Sequence, residues 1–279
     1  MAKTKPSRGT LSPELGNALS NLAERGKALF SVEDFARAMG RPRKEVWRPL
    51  TFLVDRGWVV RLMKGQYLIV PLEAGPKATW TEDSLLVGSH LAEPSAVAYW
   101  SACHYWDWTE QVPRTVFVQT TQRTWKKSRD IQGVRYRFVL VRKGKFFGTV
   151  RRRAQRGEIT VTDREKTLVD CMDHPELCGG VGQVLAMLPQ AEGLDWDRVD
   201  DCLERMDSGA VYKRLGWLVE HLGDRFKVPD RRKRIDAWQS KLTGGDAPLE
   251  PGGPQTGPGD SRWRVRLNVP GVLSNRGRR

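Results

Sequence analysis

Apolar residues at Leu15, Ala18, Leu19 and Leu22 recur at the spacing of one helical face, and the sequence therefore predicts a first helix within Leu11–Leu29, frayed at Gly26. Ser31 followed by Asp34 has the form of an N-cap with an acidic first turn. Val32, Phe35, Ala36 and Met39 then give one apolar face, and Gly40 stops this short second helix. A third helix is predicted between Pro42 and Gly57 from Val46, Leu50, Leu53 and Val54, with Pro49 expected to kink or shorten it. Beyond Gly57 the pattern changes. Trp58 to Met63 and Gln66 to Val70 are β-rich runs joined by Lys64-Gly65, a turn suited to a tight hairpin. Three helices and a hairpin predict a winged helix-turn-helix over residues 1–75, whose third helix would enter a DNA major groove.

The next segment, 76–242, reads as a larger α+β domain with a small sheet and several helices. Residues 81–106 look helical with a break at Glu93-Pro94, and Tyr99, Cys103 and Trp106 share a stripe expected to be core. Strands are predicted at Thr115 to Thr120, Val134 to Val141, Phe146 to Val150 and Glu158 to Val161. In the second of these, Arg135 and Arg137 alternate with Tyr136 and Phe138, giving one basic and one buried face. Thr162 with Glu165 is read as a capping box opening a helix, followed by helices near 181–188, 195–206, 209–222 and 231–241. From Gly244 to Asp260 the chain is rich in Gly and Pro with almost no apolar residue, so 243–279 is expected to be a disordered linker ending in an Arg-rich tail.

Charge narrows the function classes. The chain of 279 residues carries 47 Lys+Arg against 33 Asp+Glu, a net +14 that favours a polyanionic partner. Residues 1–75 hold 13 basic and 7 acidic groups, and residues 114–158 hold 14 and 2. In the first block Arg41, Arg43, Lys44, Trp47 and Arg48 fall at the start of the third helix, where side chains reach phosphates and base edges, and Arg61 and Lys64 on the wing could clamp the backbone. Double-stranded DNA is the partner this implies. In the second block Arg123, Lys126, Lys127, Arg135, Arg137, Arg151, Arg152 and Arg153 form a possible second surface, for RNA or an acidic protein. The alternative function is accordingly a protein- or RNA-binding module built on 114–158 without operator binding.

No apolar run approaches a membrane span and the N-terminus lacks a signal-peptide core, so a cytoplasmic location is expected. Four cysteines are too few for a disulfide framework. Cys171, His174 and Cys178 lack paired Cys-x-x-Cys spacing and a fourth ligand, and the adjacent Cys103 and His104 point in different directions on a helix; no metal or other cofactor is expected. Enzyme signatures are missing as well. No Asp or Glu has a Lys two positions later, as a restriction-type nuclease would need, and Asp195-Trp196-Asp197 has no Gly-Ser upstream, as a nucleotidyltransferase would. P-loop, HExxH and GxSxG patterns are absent, and the chain is read as a non-enzyme.

A basic winged helix followed by YWSACHYWDWTEQVP, VFVQTT, a run ending FFG, VTDREKTLVDCMDHPELCGG and AVYKRLGWLVEHLG resembles the AbiEi antitoxins of type IV toxin-antitoxin (abortive infection, phage defence) systems, over about residues 1–225. The resemblance implies a winged helix that binds operator repeats and represses its own operon. It also implies a C-terminal domain associated with neutralising a nucleotidyltransferase toxin, AbiEii. By that similarity Arg43, Lys44, Trp47 and Arg48 would lie on the DNA-reading helix, while Asp163, Arg164, Glu165, Lys166 and Asp170 fall in the family's most recognisable stretch, where their role looks structural.

Overall fold

The computed structural model describes residues 9–74, 84–123, 127–131, 133–154, 156–223 and 227–270. It divides into two compact units that do not follow the linear order of the chain. One contains residues up to Val97 together with Arg114–Leu140 and Arg151–Thr160, and the other contains Ala98–Pro113, Val141–Val150 and everything from Val161 onward. Sequence reasoning placed boundaries after 75 and 242; the two units instead interleave segments of the chain through long-range strand pairing.

The first unit begins with α1 (Pro13–Glu24), β1 (Leu29–Ser31), α2 (Val32–Met39), α3 (Trp47–Asp55), β2 (Val59–Met63) and β3 (Gln66–Ile69). Ser12 caps α1, and Ala18, Leu19 and Leu22 are its buried residues, as the spacing predicts. The three strands pair in the order β1-β3-β2, both pairings antiparallel. Their apolar sides and those of the helices meet around Phe30, whose ring lies 5.8 Å from each of Phe35 and Tyr67. α3 is shorter than the predicted span and begins only two residues before Pro49. Pro49 is the third residue of that helix, where a backbone N–H has no intrahelical acceptor, so the missing donor costs nothing.

At the start of α2 the Ser31 N–H donates to Asp34 Oδ2 (3.0 Å) and the Asp34 N–H returns to Ser31 Oγ (3.1 Å). Burial alone would raise the Asp34 pKa, but Lys27, whose Nζ lies 2.5 Å away, and the Ser31 donors hold the carboxyl well below the usual carboxylate range. A carboxylate depressed in the folded state contributes stability that is present above its unfolded pKa near 4 and is lost as pH falls. Asp34→Ala is expected to cost about 1 kcal/mol at neutral pH and much less at pH 3, in urea unfolding of the full chain. A cost that does not change with pH would contradict this account of the cap.

The same unit continues with α4 (Ser84–Ser89), β4 (Ser95–Val97), β5 (Thr115–Thr120), β6 (Ser128–Ile131), β7 (Val134–Leu140) and most of β8 (Thr149–Ala154) and β9 (Gly157–Thr162). Together they build a six-stranded sheet in the order β6-β7-β5-β4-β9-β8, in which β5 and β7 run parallel. β4 replaces part of the helix expected over 81–106, and residues 75–83 lie outside the described residues. The strand expected at Phe146 to Val150 starts later, at Thr149. Phe147 is instead buried, with the Lys166 Nζ and the Arg205 guanidinium 4.9 and 4.0 Å from its ring centroid.

The second unit holds α5 (Trp100–Tyr105), α6 (Arg164–Asp173), α7 (Val181–Met187), α8 (Trp196–Met206), α9 (Gly209–Leu222) and α10 (Arg231–Gln239), the last four close to their predicted spans. The cap of α6 is Asp163, whose Oδ1 accepts from the Lys166 N–H (2.8 Å), and not Thr162. Thr162 is the last residue of β9 and its hydroxyl pairs with that of Thr167 (2.8 Å), while Glu165 accepts from the Asp195 N–H (3.1 Å).

The expectation of a disordered linker from 243 is overturned through residue 270. Short strands β10 (Ala247–Pro248), β11 (Gly259–Asp260) and β12 (Val265–Arg266) form a sheet in the order β10-β12-β11, and Leu249, Trp263 and Val265 are buried. This segment needs no core of its own because α9 supplies one. Lys213 Nζ donates to the Gly245 carbonyl (2.8 Å) and Arg214 Nε to that of Pro248 (2.9 Å). The arginines of the tail are likewise engaged, Arg262 with Glu220 (3.1 Å) and Arg264 with the Thr243 carbonyl (3.0 Å). Arg276, Arg278 and Arg279 lie outside the described residues.

Candidate nucleic-acid interface

The basic residues of the winged helix divide into three places. Trp47 and Arg48 are the first two residues of α3 and are exposed, Trp47 by 42%. Arg43 and Lys44 lie one step upstream, on a 3-10 turn (Arg43–Glu45), and not on the helix as the sequence pattern suggests. Pro42 holds extended backbone before the turn and the buried Val46 closes it, so the chain re-enters helix only at Trp47. Arg41 precedes the turn. Arg61 is an exposed residue of β2, and Lys64 stands at the tip of the β2–β3 hairpin.

Two of these cations have acidic neighbours. Arg41 Nη2 lies 2.7 Å from Glu14 and Arg43 Nε 3.0 Å from Glu33, and the Arg43 guanidinium sits 6.0 Å from the centroid of the Trp47 ring. Both ion pairs are solvent-exposed and worth ~1 kcal/mol or less, so a phosphate can displace either carboxylate. Among the described residues, no acidic side chain pairs with Lys44, Arg48, Arg61 or Lys64.

What brings helix and wing together is the first turn of α2. Glu33 in that turn holds Arg43, and the neighbouring Val32 N–H donates to the Gly65 carbonyl of the wing turn (3.2 Å). The 3-10 turn that leads into α3 and the tip of the hairpin thus contact adjacent residues of α2, and Lys44, Arg48, Arg61 and Lys64 are exposed.

Residues 17–70 match the family model described as "Transcriptional regulator, AbiEi antitoxin". The winged helix is an AbiEi-family regulator domain. The match falls within the segment that carries the helix and wing cations. No curated protein sequence matches the chain. Among solved structures, the crystal structure of the Rv2827c protein from Mycobacterium tuberculosis aligns over 94% of each chain with a TM-score of 0.63 at 15% identity, a likeness of fold. No described helix is long and apolar enough to cross a membrane.

The second basic block does not form one surface. Arg135 and Arg137 are exposed on β7, with Arg135 paired to Asp130 (3.1 Å) and Arg137 5.8 Å from the Phe117 ring centroid. Arg151, Arg152 and Arg153 are exposed on β8, a strand within the sheet and not the connection that the pattern suggested. Three strands separate β7 from β8, about 19 Å at ordinary strand spacing, and side chains of adjacent strand residues point to opposite faces. Arg123 and Lys127 are exposed near the start of β6, and Lys126 lies outside the described residues.

Two cations of this block have work that sequence could not show. Arg129 Nη1 donates to the Leu62 carbonyl and Arg156 Nη2 to the Ile69 carbonyl, both at 2.8 Å, so the sheet fastens the backbone of the β2–β3 hairpin. Burial and the nearby Arg61 both lower the Arg129 pKa. Nothing local marks these two arginines, since their acceptors are carbonyls 67 and 87 residues away.

Proposed function

We propose that the protein is a transcriptional autoregulator and antitoxin that binds its own promoter DNA through Lys44, Trp47 and Arg48 at the start of α3 and Arg61 and Lys64 on the wing, with Arg41 and Arg43 recruited from their exposed ion pairs. The observation that carries the reading is that Lys44 and Arg48 at the α3 entrance and Arg61 and Lys64 on the wing are all exposed, with no acidic partner among the described residues. The domain's family supports DNA as the ligand.

Arg48→Ala is expected to weaken binding to a fragment of the gene's own promoter by about 5- to 150-fold, the range of ~1–3 kcal/mol for a lost base contact. Lys64→Ala should weaken promoter and unrelated duplexes alike and reduce the salt dependence of binding by about one counterion. Gel-shift titrations at several salt concentrations measure both effects. Unchanged affinity in Arg48→Ala would remove α3 from the interface.

The antitoxin half of the proposal assigns neutralisation of a nucleotidyltransferase toxin to the residues beyond the winged helix, on the resemblance of the DREKTLVDC and CGG stretches. Growth rescue on co-expression with a nucleotidyltransferase encoded beside this gene tests it, and toxicity undiminished by the chain would refute it. The chain is read as having no catalytic activity of its own. The competing idea of a protein- or RNA-binding module on 114–158 loses support because Arg135 and Arg151 to Arg153 stand on strands far apart in the sheet.

A further inference from the structure

Three of the four cysteines converge in the second unit. Cys103 on α5, Cys171 on α6 and Cys178 on the 3-10 turn after α6 place their Sγ atoms within 4.8 Å of one another, with Cys103–Cys171 at 3.4 Å and Cys171–Cys178 at 3.3 Å. All three are free thiols with at most 1% of their surface exposed. The sequence pattern offered Cys171, His174 and Cys178 as a trio and gave no expectation of a metal. The fold substitutes Cys103, 68 residues away, for His174, whose Nδ1 instead lies 2.8 Å from Glu176. The turn that seats Cys178 depends on glycine. Gly179 has φ +81°, and a Cβ there would lie 2.3 Å from the Trp100 ring on α5.

We propose that Cys103, Cys171 and Cys178 form a three-thiolate site for Cu(I). The donor set decides the metal class. Sulfur-only ligation selects Cu(I), zinc or iron–sulfur clusters. Structural zinc takes four protein ligands and iron–sulfur clusters take four cysteines, whereas no fourth His, Cys or carboxylate among the described residues reaches this cluster. Cu(I) is satisfied by three sulfurs. A trigonal ion with bonds of ~2.3 Å needs sulfurs about 4 Å apart, so the thiols must part by roughly half an ångström, within the reach of small χ1 adjustments. Each thiol that ligates as thiolate loses its proton to solvent, so uptake strengthens as pH rises, and the copper enters already reduced with no electron transferred. Cys202, on α8 and outside the cluster, is an internal control.

The test is anaerobic refolding of the full chain with Cu(I), followed by competition with a chromophoric Cu(I) chelator and copper-edge X-ray absorption. The expected result is one Cu(I) per chain with a shell of three sulfurs, unaffected by Cys202→Ser and weakened at least about 100-fold by Cys103→Ser, Cys171→Ser or Cys178→Ser, since even loss of an outer-shell partner costs 10–100-fold. Cys103→Ala provides a second variant should Cys103→Ser not fold, with circular dichroism as the check. No Cu(I) retained by the wild type, retention unchanged in the three cluster variants, or a shell with nitrogen or oxygen neighbours would each overturn the proposal.

Discussion

Asp170→Leu is expected to lower unfolding free energy by about 3–5 kcal/mol, because it strands an ammonium in the protein interior. Lys166 is wholly buried and Asp170 is 1% exposed, four residues apart on α6, with Lys166 Nζ donating to Asp170 Oδ1. Without the carboxylate, the ammonium keeps the face of the Phe147 ring, 4.9 Å away, which does not replace a counter-ion. The pair itself is costly to bury. Burial pushes the Asp170 carboxyl up to about 6 even though Lys166 pulls it down. Between its unfolded pKa near 4 and that value the folded chain binds the proton more tightly, so this group's contribution to stability falls as pH rises through the window. The double replacement Lys166→Met with Asp170→Leu should therefore recover most of the loss. Urea unfolding of the wild type, both single variants and the double variant measures the coupling. Additive losses in the double variant would show that the two side chains act separately.

How far the fold was legible depended on the range of the forces involved. Ser31 and Asp34 cap α2 through contacts three residues apart, and Val32, Phe35 and Ala36 bury at helical spacing, so local pattern sufficed there. The third helix is shorter than the pattern suggests, its start displaced to Trp47, two residues before Pro49, by the 3-10 turn at Arg43–Glu45. For the candidate interface, residue type picked out Trp47, Arg48, Arg61 and Lys64 as candidates, but gave no sign of the Glu33–Arg43 and Val32–Gly65 contacts beside them. The +12 block misled for a related reason. Composition counts charges along the chain, while the sheet order distributes them and diverts Arg129 and Arg156 to backbone carbonyls. The thiol cluster was invisible because one of its members comes from another segment altogether.

The Gly- and Pro-rich segment after 243 failed for the opposite reason, since its composition describes an isolated chain while α9 provides its surroundings. Trp263→Ala is expected to cost about 3–5 kcal/mol, the usual penalty for emptying a buried aromatic site. Trp263 is fully buried, its Nε1 donates to Glu220, and its ring lies on Gly216, where a Cβ would come within 2.0 Å of it. Only glycine at that position leaves room for the ring against the α9 backbone. Gly216→Ala should thus displace the same ring and destabilise by a comparable amount, although alanine has the higher helix propensity. Amide exchange over Val211–Leu222, read beside urea unfolding, separates the two possible roles of the segment. Faster exchange in α9 in both variants is the expected result, whereas native protection there would mean that residues 244–270 rest on the helix without holding it.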